Sequence, residues 1–158
     1  MIVDSGNRRE FESGAVRDIA EGKGRCDLLP LDILTELVPN EILSTLHAFM
    51  YDGDLGMLES VLYTASKEFN MTFTTMCLEL SIHYEDGCKK YGERNWEKGI
   101  PVHCFIDSAI RHYLKYLRGD NDERHDRAFL WNIVGAWWTM EHHPELIDLP
   151  FAEKEDEK

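Results

Sequence analysis

The feature that most limits what this chain can become is the run from Pro101 to Gly119. Phe105, Ile106, Ala109, Ile110, Tyr113, Leu114 and Leu117 recur there at three- and four-residue spacing, which is one buried stripe of an α-helix. Pro101 suits the start of such a helix, where a missing N–H is no loss, and Gly119 suits its end, where a left-handed residue closes the last turn. The pattern repeats elsewhere. Leu31, Leu34, Leu37 and Val38 fit a short helix between Pro30 and Pro39, and Ile42, Leu43, Leu46 and Phe49 continue after a fresh cap at Asn40. Leu55, Leu58, Leu62, Ala65 and Phe69 follow an Asp-Gly-Asp turn that offers Asp54 as a cap. Met76, Leu80, Tyr84 and Tyr91 mark a longer helix over 72–91, with Gly87 inside it or closing it early. A last helix begins near Asn121 or Asp122, carries Phe129, Leu130, Ile133, Val134, Trp137 and Trp138, and stops before Pro144. No alternating strand pattern and no internal repeat interrupts this series. The predicted fold is therefore all-α, an irregular bundle of five to seven helices.

At 158 residues and 43% hydrophobic composition there is material for one compact core. Residues 1–12 and 152–158 are polar and aperiodic, so they are expected as mobile tails flanking one helical domain over 13–151. No apolar run approaches a membrane span, and Met1 is followed by polar sequence, so a cytoplasmic location is expected. Cys26, Cys77, Cys88 and Cys104 form no CxxC pair and are expected as buried free thiols. Cys88, His103 and Cys104 fit no ordinary structural zinc spacing.

The net charge of −13 argues against duplex nucleic acid as a partner, since that affinity comes mainly from Lys and Arg neutralising phosphates. The charge is uneven, however. Residues 87–118 carry seven basic side chains against three acidic ones, and Asp120, Asp122, Glu123 and Asp126 follow directly. Cations beside clustered carboxylates suit a polyphosphate held with a divalent metal. An ordinary mixed surface is the alternative.

Residues 92–99 (GERNWEKG) are bounded by glycines and aperiodic, and so are predicted as a defined loop, the kind of segment that most often carries a site. Trp96 offers an indole for stacking on a base, Asn95 an amide for its edge, and Arg94 and Lys98 cations for phosphate. On the helix before the loop, Glu79, His83 and Asp86 share one face, either as metal ligands or as a solvated stripe. Asp122, Glu123 and Asp126 are spaced to converge from one turn, either on a metal or simply as acids at a helix N-terminus. Arg111 and His112 interrupt an apolar helix and need partners, with Asp107 four residues earlier as the structural alternative for Arg111. His125, Ala128 and Asn132 form a polar stripe, and Asn132 can alternatively serve as a core amide. There is no GxxxxGK[ST], GxGxxG or GxSxG.

The run KKYGERNWEKG, followed by DSAIRHYLKYLRGDNDERHDRAFLWN, resembles the N-terminal domain of phage dATP/dGTP diphosphohydrolases, a MazG-like family. The stretch SGAVRDIAEGKGRCDLLP over 13–30 extends the likeness. The resemblance implies an all-α, homo-oligomeric enzyme, in the host cytoplasm if phage-encoded, that cleaves a purine dNTP to dNMP and pyrophosphate with Mg2+ or Mn2+. The matching positions Lys90, Tyr91, Asn95, Trp96, Lys98, Arg111, His112 and Asn132, with Arg94 from the loop reading, are the expected nucleotide-binding residues. MazG-type enzymes hold their metals with an EExxE motif followed by ExxD. This chain has no EExxE, so the expected ligands are Glu79 and Asp86 with Asp122, Glu123 and Asp126, while Glu123, His125 and Asp126 are the expected catalytic groups. The missing motif also motivates a rival expectation: a non-catalytic protein that sequesters a nucleotide signal.

Overall fold

The caps foreseen in the sequence close the helices they flank. In a computed structural model that describes residues 4–156, α1 spans Leu31–Leu37, α2 Glu41–Asp52, α3 Leu55–Glu68, α4 Phe73–Tyr91, α5 Val102–Arg118, α6 His125–His142 and α7 Pro150–Asp156. Asn40 Oδ1 accepts the Leu43 N–H at 2.9 Å and Asp54 Oδ1 accepts the Gly56 N–H at 2.8 Å, each satisfying an amide that the first helical turn leaves without a partner. Gly119 closes α5 at φ 86°, in the left-handed region where a Cβ would be strained. Gly87 lies inside α4.

The core is one cluster built around the α5–α6 interface. Phe105, Ile106, Ala109, Ile110 and Tyr113 of α5 meet Phe129, Leu130, Ile133 and Ala136 of α6, and α2 and α3 add Leu46, Phe49, Leu58, Val61 and Ala65. Gly135 lets the two helices approach, because a Cβ there would sit 2.5 Å from the Phe105 ring. Asn40 donates to the Tyr113 hydroxyl at 2.9 Å, which in turn donates to Glu68, tying the ends of α2 and α3 to α5. Leu117, expected on the buried stripe, is 49% exposed because α5 runs past its packing partners there. Of the four free thiols only Cys104 is buried; Cys77 lies on the exposed side of α4, a helix with no buried residue.

Two expectations change at the termini. Residues 8–10, assigned to a mobile tail, form β1 (Arg8–Glu10), which pairs antiparallel with β2 (Val16–Asp18) in the register Arg9↔Arg17. Three-residue strands are too short to show a period-two pattern, so this hairpin had no signature in the sequence. At the other end α7 continues past the expected boundary at 151 to Asp156. Residues 1–3 and 157–158 lie outside the described residues.

Candidate functional site

The hairpin, α4, the turn after it, α5, the α5–α6 loop and α6 enclose a pocket of about 250 Å³. Asn95 positions its first wall. This buried residue opens a short 3-10 turn (Asn95–Lys98), accepts the Val16 N–H on Oδ1 at 2.7 Å and donates from Nδ2 to the Val16 carbonyl at 2.8 Å. The Val16 groups face away from β1, so the amide takes the place of a third strand on the edge of β2. Asn95 therefore anchors the hairpin rather than presenting its amide to a base.

The residue that follows Val16 lines the pocket. Arg17 donates from Nη2 to Ser108 Oγ at 3.2 Å and to Asn132 Oδ1 at 3.1 Å, and its guanidinium carbon lies 5.2 Å from the Phe105 ring centroid and 5.6 Å from that of Trp131. Its Nη1 is buried with no partner, and among the described residues no carboxylate pairs with it. Burial pushes its pKa down, because a charge removed from water without a counter-ion is disfavoured. Asn132 spends its amide nitrogen on the Ala128 carbonyl at 2.8 Å, so its oxygen is oriented toward Arg17.

Tyr84, Trp96 and Trp131 make an aromatic wall: Trp96 packs on Tyr84 at 5.3 Å and Trp131 on Tyr84 at 6.0 Å, and His83 lies 5.4 Å from Trp131. Burial lowers the His83 pKa to about 4 and raises that of Tyr84 to about 12, so both are neutral at pH 7. Tyr91 lines the same side and is likewise pushed up by burial.

Of the cations expected on phosphate, the structure brings only Arg111 to the pocket, and that one is already engaged. It pairs with Asp107 at 2.5 Å and donates to the Gly24 carbonyl at 2.8 Å, while Asp107 accepts the Cys26 N–H at 2.6 Å, so together they pin the 23–27 segment onto α5. Arg94 is exposed and pairs with Glu97 at 2.6 Å, Lys98 is exposed, and Lys90 lies against the Tyr91 ring and 3.9 Å from Asp4. None of these three lines the pocket; Arg9, Lys23 and Lys115 do. Sequence reasoning gave roles to none of these three and none to Arg17, although Arg17 and Lys23 lie in the 13–30 block that carries part of the resemblance.

The expected carboxylate metal site is not assembled. Glu79 is bound by Arg127, whose Nε donates at 2.8 Å, and Arg124 approaches it at 3.4 Å. Asp126 pairs with Arg124 at 3.0 Å and Asp86 lies 3.9 Å from Lys89. Helix α6 begins at His125, so Asp122 and Glu123 sit in the loop before it rather than on one turn with Asp126. Asp122, Glu123 and His112 do line the pocket, and His125 is buried directly behind them. His112 Nδ1 lies 3.0 Å from His125 Nδ1 and 3.5 Å from Glu123 Oε1, and His125 Nε2 lies 2.7 Å from Asp122 Oδ1. Burial, then the neighbouring His125, holds the His112 pKa well below the usual imidazole value; the bond from His125 lowers that of Asp122.

Residues 64–149, more than half of the chain, match the family described as dATP/dGTP diphosphohydrolase, N-terminal. The chain belongs to this family. The match covers α4–α6, with the aromatic wall and the His112–Glu123–His125 group, whereas Arg17 and Lys23 enter the pocket from outside the matched span. No curated protein and no solved structure matches the chain. Among the described residues no helix is long and apolar enough to cross a membrane.

Proposed function

We propose that this member of the dATP/dGTP diphosphohydrolase N-terminal family binds a purine deoxynucleoside triphosphate in the 250 Å³ pocket and hydrolyses it to monophosphate and pyrophosphate. The observation that carries the reading is Arg17: a half-buried guanidinium that lines an aromatic-walled cavity, with no carboxylate partner among the described residues and one buried nitrogen unpartnered, favours an anion in that cavity. Lys115 and Arg9 add positive charge to the same lining, and neither has a carboxylate partner among the described residues. Tyr84, Trp96 and Trp131 supply flat apolar surface for a base. In the reaction water adds to the α-phosphorus and the bridging P–O bond breaks, with pyrophosphate leaving.

The divalent ion expected for this chemistry fits two overlapping groups among the described residues, His112 with Glu123 and His125, and Asp120 with Asp122 and His125. Only the first has two members, His112 and Glu123, on the pocket lining and a third, His125, held by the helix packing. His112, Glu123 and His125 offer donor atoms within 4.8 Å of one another at the polar end of the pocket. A bound ion there would polarise a phosphoryl oxygen and lower the pKa of water. The chain's own groups orient the substrate: Arg17 draws the phosphates inward, and Asn132 and Ser108 hold the guanidinium in place. Self-association is part of the same reading, supported by Phe73, Leu78 and Ile82, which are exposed on α4.

Incubation with each dNTP and Mn2+ or Mg2+, following dNMP and pyrophosphate, tests the hydrolysis. Arg17→Met is expected to weaken binding of a non-hydrolysable dNTP, measured in chelator, by tenfold or more, about 1.4 kcal/mol. Binding without turnover of any dNTP would leave the sequestering role; no binding would remove both.

A further inference from the structure

The polar end of the pocket carries more than a convergence of acids. His112 projects from α5, His125 from the first residue of α6, and Glu123 from the loop between them. Their three facing atoms form a triangle: 3.0 Å between the two Nδ1 atoms, 3.5 Å from His112 Nδ1 to Glu123 Oε1, and 3.8 Å from His125 Nδ1 to the same oxygen. A point equidistant from all three lies about 2.0 Å from each, the length of a bond from a zinc-like dication to imidazole nitrogen or carboxylate oxygen.

We propose that His112, Glu123 and His125 form a site for one first-row transition-metal dication of the Mn2+, Fe2+, Co2+ or Zn2+ kind, in preference to Mg2+. A hydrogen bond between the imidazoles accounts for only one side of the triangle. Glu123 Oε1 supplies the other two sides, 3.5 and 3.8 Å from the two nitrogens, a spacing that suits ligands sharing one ion. Asp122 supplies an independent observation. It accepts from His125 Nε2 at 2.7 Å, which puts the ring proton on Nε2 and leaves the Nδ1 lone pair facing the centre, the arrangement of a carboxylate that orients a metal-binding histidine. His125 is 2% exposed, so its ring is fixed by the α5–α6 packing. Two nitrogens and one oxygen suit borderline ions, whereas Mg2+ prefers oxygen ligands and retains waters. His112 and Glu123 line the pocket together with Arg17 and Lys115, so an ion held there would share the cavity with those cations. The donor set stands on its own geometry; its service to nucleotide cleavage rests on the function proposed above.

Co2+ is the probe, added to chelator-treated, dialysed protein and followed by calorimetry and visible absorption. One Co2+ per chain is expected, with an absorption band that changes when a nitrogen ligand is lost in His112→Ala. His112→Ala and Glu123→Gln should each weaken binding by tenfold or more, Asp122→Asn by about tenfold, and a hundredfold excess of Mg2+ should not displace the ion. Should His112→Ala fail to fold, as read by circular dichroism, Mn2+ broadening of ring proton signals replaces it: His112 and His125 should broaden first. Absence of stoichiometric Co2+, binding unaffected by Glu123→Gln, displacement by equimolar Mg2+, or earlier broadening of other histidines would overturn the proposal. Stoichiometric Co2+ without turnover of any dNTP leaves this site standing and removes the hydrolase reading. Turnover that persists with no transition-metal binding does the reverse.

Discussion

Replacing Asn95 by alanine separates the two roles that this residue can play. In the structure its amide forms two hydrogen bonds to the Val16 backbone, at 2.7 and 2.8 Å, from a side chain only 6% exposed. Each such bond contributes about 1 kcal/mol net, and a part-buried N–H or C=O left without a partner costs up to a few kcal/mol, so the loss is expected at about 2–4 kcal/mol. For a chain of this size that lowers Tm by roughly 5–15 °C. Asn95→Asp should fare no better, because a carboxylate can still accept the Val16 N–H but turns negative charge toward the carbonyl oxygen. Thermal unfolding by circular dichroism gives the stability. Amide exchange gives the location: Val16 should lose protection before the α5–α6 core does. Nucleotide affinity falls as well, because β2 carries Arg17. The reasoning is refuted if Asn95→Ala melts within 1 °C of the wild type yet loses its preference among bases; the amide would then be reading the nucleotide.

Glu79→Ala is expected to destabilise the fold by about 3 kcal/mol, since it strands the buried Arg127 guanidinium, while leaving Co2+ affinity unchanged; a loss of metal affinity in titration would restore Glu79 as a ligand. His83, with its folded pKa lowered to about 4 against an unfolded value near 6.5, binds its proton more readily when unfolded, so it costs stability as pH falls from 6.5 toward 4. Urea midpoints of His83→Phe should therefore decline less than wild type across that window, and equal slopes would contradict the assignment. His103 shows the opposite sign: its hydrogen bond to Asp148 raises its pKa to about 10, so its contribution is fully present below pH 6.5 and is lost as pH rises toward 10. Asp148→Asn should flatten the stability profile between those values. Gly135→Ala, which sets a Cβ 2.5 Å from the Phe105 ring, should cost about 1–3 kcal/mol in the same measurement.

The helices were legible because their signals are local. Asn40, Asp54 and Gly119 act within one turn of their own position, and the α5 stripe reports burial through spacing alone. The β hairpin was not legible, because what holds it is a side chain from 79 residues away: Asn95 looks in sequence like a loop amide available to a ligand. Arg111 was read both ways, and the structure uses its near partner, Asp107.

The expected ligands on α4 do not converge, for a geometric reason. Glu79, His83 and Asp86 do share a face of α4, but a shared face fixes only the direction from the axis. Positions seven apart are separated by about 10 Å along it, too far to meet one ion with bonds near 2 Å. The three side chains accordingly go to Arg127, Trp131 and the neighbourhood of Lys89. Convergence at that scale needs ligands from different elements meeting at a crossing, and the α5–α6 connection is such a place: it brings His112 against His125 with Glu123 beside them. In the sequence these histidines stand 13 residues apart, at no helical spacing, with the turn between them hiding the approach. Arg17 has the same origin, since its charge acquires meaning only when β2 lays it across Phe105 and Trp131 without a carboxylate partner among the described residues. Spacing on one helix thus identified polar faces, while the groups that converge were those that a helix crossing or a long-range clamp brings together.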